Sequence, residues 1–397
     1  MSSIARYDVA VVGMGPGGSV AAAELSRAGL SVIGFDKERH PRYKVCGGGL
    51  SARITHILDI DLGAVVEQTI YGVQFSYRGK NSLLIESPSP IAYMVMRDRL
   101  DLYLGQTAQS AGADIRYGEG VVALTQDEAG VDVTTTIGRY RAGVVVGADG
   151  ANSLVARQLF PERPIHRVPA LESEVIVGNA GGLDISTILV DVGAASQGYG
   201  WIFPKQGRLS VGVGEFRLKS QRLRASFDQF VQAHPRLAEW TVPRPAGHPI
   251  PVFVNEGDGD KAARINLVNG RVLLVGDAGH LVDPLFGEGI YYAVRSGQLA
   301  ARAIRHCLTN TTGLLADYNA DVEREIVPDF KVTARIARVV YGFPYLCFKL
   351  LGRYKPVVQG YFEVLQGRTT AERFLDETKG RIKASVSELL LEALYLR

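Results

Sequence analysis

The sequence predicts an α/β fold built around a doubly wound parallel sheet whose strands come from discontinuous segments of the chain. One observation is an apolar run at residues 7–12 that leads through a glycine-rich turn into a helical pattern. A second is a pair of later apolar runs, at 144–148 and 270–276, that also end in glycine and aspartate. The third is the alternating pattern between these runs, which predicts an antiparallel sheet, followed by a mostly helical C-terminal region after residue 314.

The glycine-rich turn near the N-terminus has the spacing that brings a backbone close to a diphosphate. Gly13 permits a tight turn, Gly15 lets the backbone approach the ligand, and Gly18 lets the helix predicted over residues 19–28 pack on the strand. The free amides and the dipole of that helix favour an anion at its N-terminus. The full turn consists of Gly13, Met14, Gly15, Pro16, Gly17 and Gly18.

A second strand, predicted over residues 31–35, ends in Asp36 and is followed by Lys37. A carboxylate at this offset from the glycine turn accepts hydrogen bonds from an adenosine ribose, so the two features together predict dinucleotide binding. The alternative is an ordinary glycine-rich turn with a surface aspartate.

The downstream motif repeats the order of strand, turn and helix. Asp277 closes the strand at Gly276, and a helix is predicted over residues 289–306. An aspartate beside glycines suits the hydroxyls of a ribityl chain, and a helix that begins near Gly289 directs its positive end at a flavin and favours the anionic reduced form. The alternative is a second helix cap with Asp277 as a turn residue. The motif consists of Gly276, Asp277, Gly287, Glu288, Gly289 and Ile290.

Between these two motifs, another strand ends in Asp149-Gly150. Three strand-end sites of glycine and aspartate in this order predict that the chain binds one flavin dinucleotide, FAD.

With these motifs, the chain resembles the FAD-dependent oxidoreductases that include aromatic hydroxylases, flavin halogenases and geranylgeranyl reductases. The stretch Pro41-Arg42-Tyr43-Lys44-Val45-Cys46-Gly47-Gly48-Gly49 resembles the cysteine-glycine loop of the reductases. The stretch Gly198-Tyr199-Gly200-Trp201-Ile202-Phe203-Pro204-Lys205 resembles their aromatic pocket strand. The stretch Arg97-Asp98-Arg99-Leu100-Asp101 resembles the arginine motif of the whole group. The resemblance extends from about residue 7 to residue 301. Asp36 stands where glutamate is commoner, and Phe286 adds a bulky ring beside the expected flavin site.

The resemblance implies a geranylgeranyl reductase-like enzyme that saturates carbon–carbon double bonds of a polyprenyl lipid by hydride transfer from N5 of reduced FAD. It implies a role for Cys46 at the active site, where a thiol donates the proton or positions a water. The alternative for Cys46 is a small buried hydrophobic residue. The motifs and the resemblance together predict that the cofactor-binding residues are Gly13, Gly15, Pro16, Gly17, Gly18, Asp36, Lys37, Cys46, Gly47, Gly48, Arg97, Asp149, Gly276, Asp277, Gly287, Glu288, Gly289 and Ile290.

An aromatic wall for the substrate is predicted along one strand. Tyr199, Trp201 and Phe203 alternate, so their rings share one face of the sheet, where they line a cavity or form the core of the sheet, or do both. Phe286 is the fourth predicted substrate-binding residue, and Lys205 is expected to be solvated. The aromatic and basic segment 341–355 is expected to pack its rings on the core, with a membrane-surface or lipid-entry element as the alternative.

The placement of the motifs predicts three regions. Residues 1–68, 95–160 and 264–308 form the FAD-binding domain, residues 69–94 and 161–263 form an antiparallel-sheet substrate domain, and residues 309–397 form a C-terminal helical region.

Composition excludes several classes of function. A formal charge of +3 is too small to indicate nucleic-acid binding, and seven scattered histidines show no metal-ligand spacing. Three cysteines without paired spacing, no leader and no run of 18 apolar residues predict a cytoplasmic protein, at most peripheral at the inner membrane face. The expected partners are a prenyl lipid and an electron donor, either NADPH or a reduced ferredoxin or flavin carrier.

Two other functions stay open at this stage. One is a flavin-dependent monooxygenase or halogenase of an aromatic substrate, for which Lys80 is an available lysine, although its neighbours predict a hairpin tip. The other is a prenyl-lipid binding protein that carries no flavin.

Overall fold

The computed structural model describes residues 4–163, 166–178, 185–216, 222–254, 265–309 and 314–378. Its strands are β1 Ala5–Val12, β2 Val32–Asp36, β3 Gly49–Ser51, β4 Val66–Ile70, β5 Gly72–Tyr77, β6 Lys80–Glu86, β7 Ala92–Val95, β8 Asp114–Tyr117, β9 Val121–Asp127, β10 Gly130–Thr135, β11 Arg139–Gly147, β12 Val168–Ile176, β13 Thr187–Val192, β14 Gly198–Lys205, β15 Arg208–Glu215, β16 Ala246–Ile250, β17 Val268–Asn269 and β18 Val272–Leu274.

The α-helices are α1 Pro16–Arg27, α2 Arg97–Ser110, α3 Leu154–Leu159, α4 Leu223–Ala233, α5 Ile290–Thr309, α6 Asp317–Glu325, α7 Val327–Gly342, α8 Pro344–Arg353 and α9 Lys355–Leu365. Short 3₁₀ turns lie at Ala52–His56, Leu62–Ala64, Pro235–Glu239 and Gly276–Gly279. Among the described residues, no helix has both the length and the apolar character needed to cross a bilayer.

The first sheet has a parallel core in the order β18-β11-β1-β2-β8, and β17, β10 and β9 extend it in antiparallel fashion. The apolar runs of β1 and β11 are fully buried, as expected for central parallel strands covered on both faces. Helix α1 packs against α2 and α5. The predicted parallel sheet of discontinuous segments is therefore confirmed.

The second sheet has the order β16-β12-β15-β14-β13-β5-β6. Its strands are antiparallel to their neighbours, as predicted, except that β5 and β13 run parallel, with Phe75 opposite Val190. The predicted antiparallel sheet is therefore confirmed, with one parallel pair between β5 and β13. Residues 78–186 separate the two strands, so no hairpin imposes an antiparallel direction on them.

A small antiparallel sheet, β3-β7-β4, contacts β14 of the second sheet and helix α5. The C-terminal helices close the molecule on the other side, where Phe348 of α8 and Phe362 of α9 share a core with Phe75 and Val190 of the second sheet. The expected domain boundary at residues 263 and 264 lies outside the described residues, as does the end of the expected helical region from 379 to 397. The domain boundaries remain a prediction.

Candidate active site

One cavity of about 1100 Å³ lies where the first sheet, the second sheet and the C-terminal helices meet. It brings together the two ends of the predicted nucleotide site, because Gly15 and Asp36 line it together with Asp277 and Gly289. Gly18 is the single predicted site residue that does not line it, and the others that do are Gly13, Pro16, Gly17, Lys37, Cys46, Gly47, Gly48, Arg97, Asp149, Tyr199, Trp201, Phe203, Gly276, Phe286, Gly287, Glu288 and Ile290.

The glycines of the N-terminal turn have different steric surroundings. Gly13 has a φ of +96°, and a Cβ atom there would lie 2.4 Å from the carbonyl oxygen of Ala148. A Cβ atom on Gly18 would lie 2.0 Å from the carbonyl oxygen of Gly13. A Cβ atom on Gly15 would meet nothing within 4 Å, although Gly15 lines the cavity and precedes the first turn of α1. The space above Gly15 is therefore available to a ligand at the positive end of that helix.

Asp36 lies buried at the end of β2, where its carboxylate accepts hydrogen bonds from the backbone amides of Met14 and Glu38 at 3.0 Å each. Burial raises the pKa of Asp36, but hydrogen bonds from His40 and from these two amides have the larger combined effect. The pKa of Asp36 therefore lies below its ordinary value. The ionised carboxylate retains lone pairs that can accept from a ribose hydroxyl.

Asp277 and Asp149 differ in what their carboxylates contact. Within the part of the chain that the structure describes, the Asp277 carboxylate accepts no hydrogen bond from a side chain or from the backbone, and it faces the space beside Gly289. In contrast, the Asp149 carboxylate accepts from Ser153 Oγ at 2.5 Å and from the amide of Leu154 at 2.6 Å. Asp149 therefore holds the start of α3, and Asp277 is the better placed of the two for a ribityl chain.

Glu288 lines the cavity, but its carboxylate is committed to a neighbouring cation. Its Oε2 atom accepts from the Arg53 guanidinium at 3.0 Å, and Arg53 also contacts Asp329 of α7 at 2.9 Å. This buried network ties the turn before α5 to the C-terminal helices, so Glu288 positions the loop rather than presenting a free carboxylate.

Arg97 forms a fork of two hydrogen bonds, each 2.8 Å long, with the carboxylate of Asp101 one turn later in α2. Burial lowers the pKa of Arg97, but the charge of Asp101 and hydrogen bonds to Asp101 and Cys46 raise it well above its ordinary value. A permanently charged guanidinium therefore lies beside the Cys46 thiol at the cavity wall.

The cysteine-glycine loop lies against the aromatic strand β14. A Cβ atom on Gly47 would lie 3.1 Å from the ring of Phe203 and 3.5 Å from Nε1 of Trp201. Gly48 has a φ of +74°, and a Cβ atom there would lie 2.1 Å from the carbonyl oxygen of Val95. Only glycine fits at position 48. Because Gly47 lies against the rings of Phe203 and Trp201, the preceding Cys46 lies close to the aromatic wall.

The four predicted substrate-binding aromatic residues form a continuous wall. The ring of Trp201 lies between those of Tyr199 and Phe203, with centroids 5.9 and 6.2 Å away. The Tyr199 hydroxyl donates to the carbonyl oxygen of Phe286 at 2.6 Å, and the Phe286 ring meets that of Tyr199 edge-on. Phe286 thus extends the wall from the sheet to the turn before α5.

Lys44 belongs to the cysteine-glycine loop motif, but the sequence predicted no role for it. Lys44 Nζ lies 3.1 Å from Nε2 of His248, and both residues line the cavity. Burial and the charge of Arg97 lower the pKa of Lys44, while burial and the charge of Lys44 lower the pKa of His248 to about 4. His248 is therefore neutral near pH 7 and accepts from Lys44. No local signal identified this pair, because the partners are 204 residues apart.

A charged cluster on the cavity face of the second sheet was also missed. Glu172 and Glu174 share this face of β12 with Lys205 of β14 and Ser210 of β15, as the strand register requires. The expectation that Lys205 is solvated is wrong: its side chain is 1% exposed and donates to Glu174 at 2.7 Å. Alternating glutamates in an otherwise apolar strand were the available sequence signal.

The segment 341–355 was expected either to pack its rings on the core or to form a membrane-surface element, and its residues do some of each. Tyr341 donates to the carbonyl oxygen of Leu285, and Phe348 is buried against the second sheet. Phe343 and Leu346, by contrast, are 64% and 54% exposed, and Lys349 lies over the half-exposed ring of Tyr345. The same segment therefore lines the cavity with some rings and presents others at the surface.

These residues fit the predicted FAD. The open space above Gly15, the ionised Asp36 and the free carboxylate of Asp277 lie around one continuous cavity, as an extended dinucleotide requires. Among the described residues, no group of three or more His, Cys, Asp or Glu side chains converges as metal ligands.

Comparison with known proteins gives three kinds of match. The profile of a family described as FAD binding domain matches residues 6–327. Chloroplastic geranylgeranyl diphosphate reductase of Oryza sativa subsp. japonica is 29% identical over 377 residues, which cover 85% of this chain and 75% of that protein. Menaquinone reductase of Mycobacterium tuberculosis is 31% identical over 328 residues, with coverages of 75% and 76%. A solved geranylgeranyl bacteriochlorophyll reductase-like protein of Thermoplasma acidophilum shares the fold, with a TM-score of 0.72 at 24% identity and coverages of 84% and 88%.

Proposed function

The chain belongs to the FAD binding domain family and has relatives among geranylgeranyl diphosphate and menaquinone reductases, and on this premise we propose that it saturates carbon–carbon double bonds of a polyprenyl lipid. It binds FAD, which removes the flavin-free alternative. Its relatives include a reductase of a prenyl diphosphate and a reductase of menaquinone, which supports a substrate with an isoprenoid chain.

The observation that carries this proposal is the composition of the cavity beyond the nucleotide end. The wall continues from Trp201 to Phe75 and Val190 of the second sheet and to Phe348 and Phe362 of the C-terminal helices. A small phenol or indole needs a compact pocket with a few polar anchors, whereas a polyprenyl chain gains affinity from each buried methyl and methylene group. This long apolar wall favours the second class of substrate.

Reduced FAD supplies the hydride for one carbon of the double bond when it is bound. The protein must hold the alkene in place, exclude water and supply a proton to the other carbon. Trp201, Tyr199 and Phe203 are proposed to hold the chain, and Cys46 is proposed to donate the proton from its loop against Trp201. Arg97 beside Cys46 stabilises the thiolate that forms.

The exposed Phe343, Tyr345 and Leu346 support entry of the lipid from a membrane surface, because α7 and α8 also line the cavity. The electron donor is proposed to be NADPH or a reduced ferredoxin or flavin carrier. This donor is proposed to reduce the flavin before the flavin reduces the lipid.

The test uses FAD-loaded protein reduced with dithionite and mixed without oxygen with geranylgeranyl diphosphate, menaquinone or a digeranylgeranyl glycerophospholipid. The expected result is oxidation of the flavin by at least one of these lipids, with a mass gain of about two units per saturated bond. If no prenyl lipid oxidises the flavin, and oxygen together with a phenol or an indole yields a hydroxylated or halogenated product, the proposal is wrong. The exposed position of Lys80 at a hairpin tip argues against the halogenase alternative.

A further inference from the structure

Two buried glutamates on the cavity face of β12 have oxygens that lack hydrogen-bond donors. Glu172 is 2% exposed and lines the cavity, and its Oε1 atom accepts from Ser210 Oγ at 2.8 Å. Glu174 accepts through Oε1 from Lys205. The Oε2 atoms of both glutamates are buried, and neither has a hydrogen-bond partner among the described residues. A proton on one of the two carboxylates would turn an unsatisfied acceptor into a donor.

The charges around this pair also favour a proton. Lys205 of β14 is the cation that contacts the pair, Arg208 of β15 lies at the same edge, and Ser210 is neutral. Two carboxylates on one strand face beside one contacting lysine repel each other, which favours a proton on one of them. Burial is the largest effect and raises the pKa of Glu172 to about 7; the negative charge of Glu174 adds to it, and Lys205 and Ser210 oppose it.

Glu172 lies across the cavity wall from the cysteine-glycine loop. The Trp201 indole, which contacts Gly47, donates through Nε1 to Ser210 Oγ at 3.2 Å, and Ser210 in turn donates to Glu172. On the loop itself, Tyr43 also lines the cavity, and it is 56% exposed. Partial burial and the charges of Glu172, Glu174 and Cys46 raise the pKa of the Tyr43 phenol, which keeps the phenol protonated.

We propose that Glu172 stores the proton consumed in double-bond saturation and returns it, through the Tyr43 phenol, to the Cys46 thiolate. This inference rests on the proposed function. The Cys46 S–H bond breaks as its proton bonds to one alkene carbon, and the hydride of the reduced flavin bonds to the other carbon. The Glu172 O–H proton then restores the thiol, and solvent reprotonates Glu172. Glu172 acts through Cys46 and is a positioning residue.

The variant Glu172→Gln tests the proposal without disturbing the packing. Its amide oxygen can accept from Ser210 and its NH₂ group can donate to Glu174, so the variant is expected to fold and to hold FAD. Glu215→Gln is the matched control, because Glu215 is buried on β15 but faces away from the cavity. Glu172→Asp, which keeps a carboxyl group, is the conservative rescue variant.

The first readout is repeated turnover with geranylgeranyl diphosphate, from about pH 5 to about pH 9, with dithionite as reductant. In the wild type and in Glu215→Gln the rate is expected to fall above about pH 7, as the stored proton is lost. Glu172→Gln is expected to be slower by about tenfold or more near pH 6 and to lose this pH dependence. Glu172→Asp is expected to recover part of the rate with a shifted midpoint. An unchanged rate and pH profile in Glu172→Gln would overturn the inference.

The second readout does not depend on activity. Infrared spectra of oxidised, FAD-loaded protein are expected to contain a protonated carboxyl band that titrates near pH 7 and is absent in Glu172→Gln but present in Glu215→Gln. If no such band titrates near neutral pH, Glu172 stores no proton and the inference is wrong. If the band is present but no prenyl lipid is reduced, the proposed function fails and the stored proton remains.

Discussion

Gly15→Val is expected to remove FAD without unfolding the protein, whereas Gly18→Ala is expected to destabilise the fold. Gly15 has a φ of −76° and a ψ of −174°, an extended conformation that valine adopts readily, and a Cβ atom there meets nothing within 4 Å. Gly15→Val is therefore expected to lower the free energy of unfolding of the flavin-free protein by about 1 kcal/mol or less, the usual scale for losing a glycine N-cap. The valine methyl groups occupy the space where the diphosphate must lie.

The expected loss of FAD affinity follows from the contacts that the valine displaces. The attraction of an anion to a helix N-terminus is worth up to about 2 kcal/mol, and each hydrogen bond from an amide to a charged group is worth about 1.5–3 kcal/mol. Loss of the helix attraction and one such bond raises the dissociation constant by at least about 100-fold. Gly18→Ala places a methyl group 2.0 Å from the Gly13 oxygen and costs about 1–3 kcal/mol or more through overpacking.

The assay compares the flavin absorbance of purified variants with urea unfolding of the same proteins stripped of FAD. Gly342→Val is the control for a glycine-to-valine change, because a Cβ atom there also meets nothing and Gly342 does not line the cavity. Full flavin content in Gly15→Val would refute the placement of the diphosphate. Equal destabilisation of Gly15→Val and Gly18→Ala would refute the distinction between a ligand-facing and a packing glycine.

Three further predictions concern the remainder of the site. Cys46→Ser is expected to keep FAD but to slow oxidation of the reduced flavin by lipid about tenfold or more, since a positioned proton donor is lost; an unchanged single-turnover rate would make Cys46 structural. Trp201→Ala is expected to weaken the binding of long prenyl chains more than of short ones, measured by titration, while Trp240→Ala behind the second sheet affects neither. Equal losses for both chain lengths would contradict the proposed wall. The pKa of Glu172 rises from 4.5 when unfolded to about 7 when folded, so the folded state retains a proton that the unfolded chain has released. The free energy of unfolding is therefore expected to fall by about 3 kcal/mol as the pH rises from about 4.5 to above 7, and urea unfolding of Glu172→Gln is expected to lack this decline.

The sequence alone determined the nucleotide half of this protein. Gly13, Gly15 and Gly18 lie within one six-residue stretch, Asp36 ends β2, and Asp277 lies in the 3₁₀ turn that follows β18. Such motifs combine an apolar run, a turn and a helix start, all of which depend on near neighbours in the chain. Parallel strands then bring their carboxyl ends to one edge of the sheet, so local patterns were sufficient to predict that the chain binds FAD.

The tertiary structure alone decided which charged groups face the cavity. Lys205 follows an aromatic strand and looked solvated, yet strand register places it on the cavity face beside Glu174. Lys44 meets His248 across 204 residues, and Glu172 meets the Trp201–Ser210 pair only because three strands align. A charged side chain has no periodic signature that tells solvent from a buried partner. Its surroundings depend on contacts between distant segments, which the local sequence does not encode.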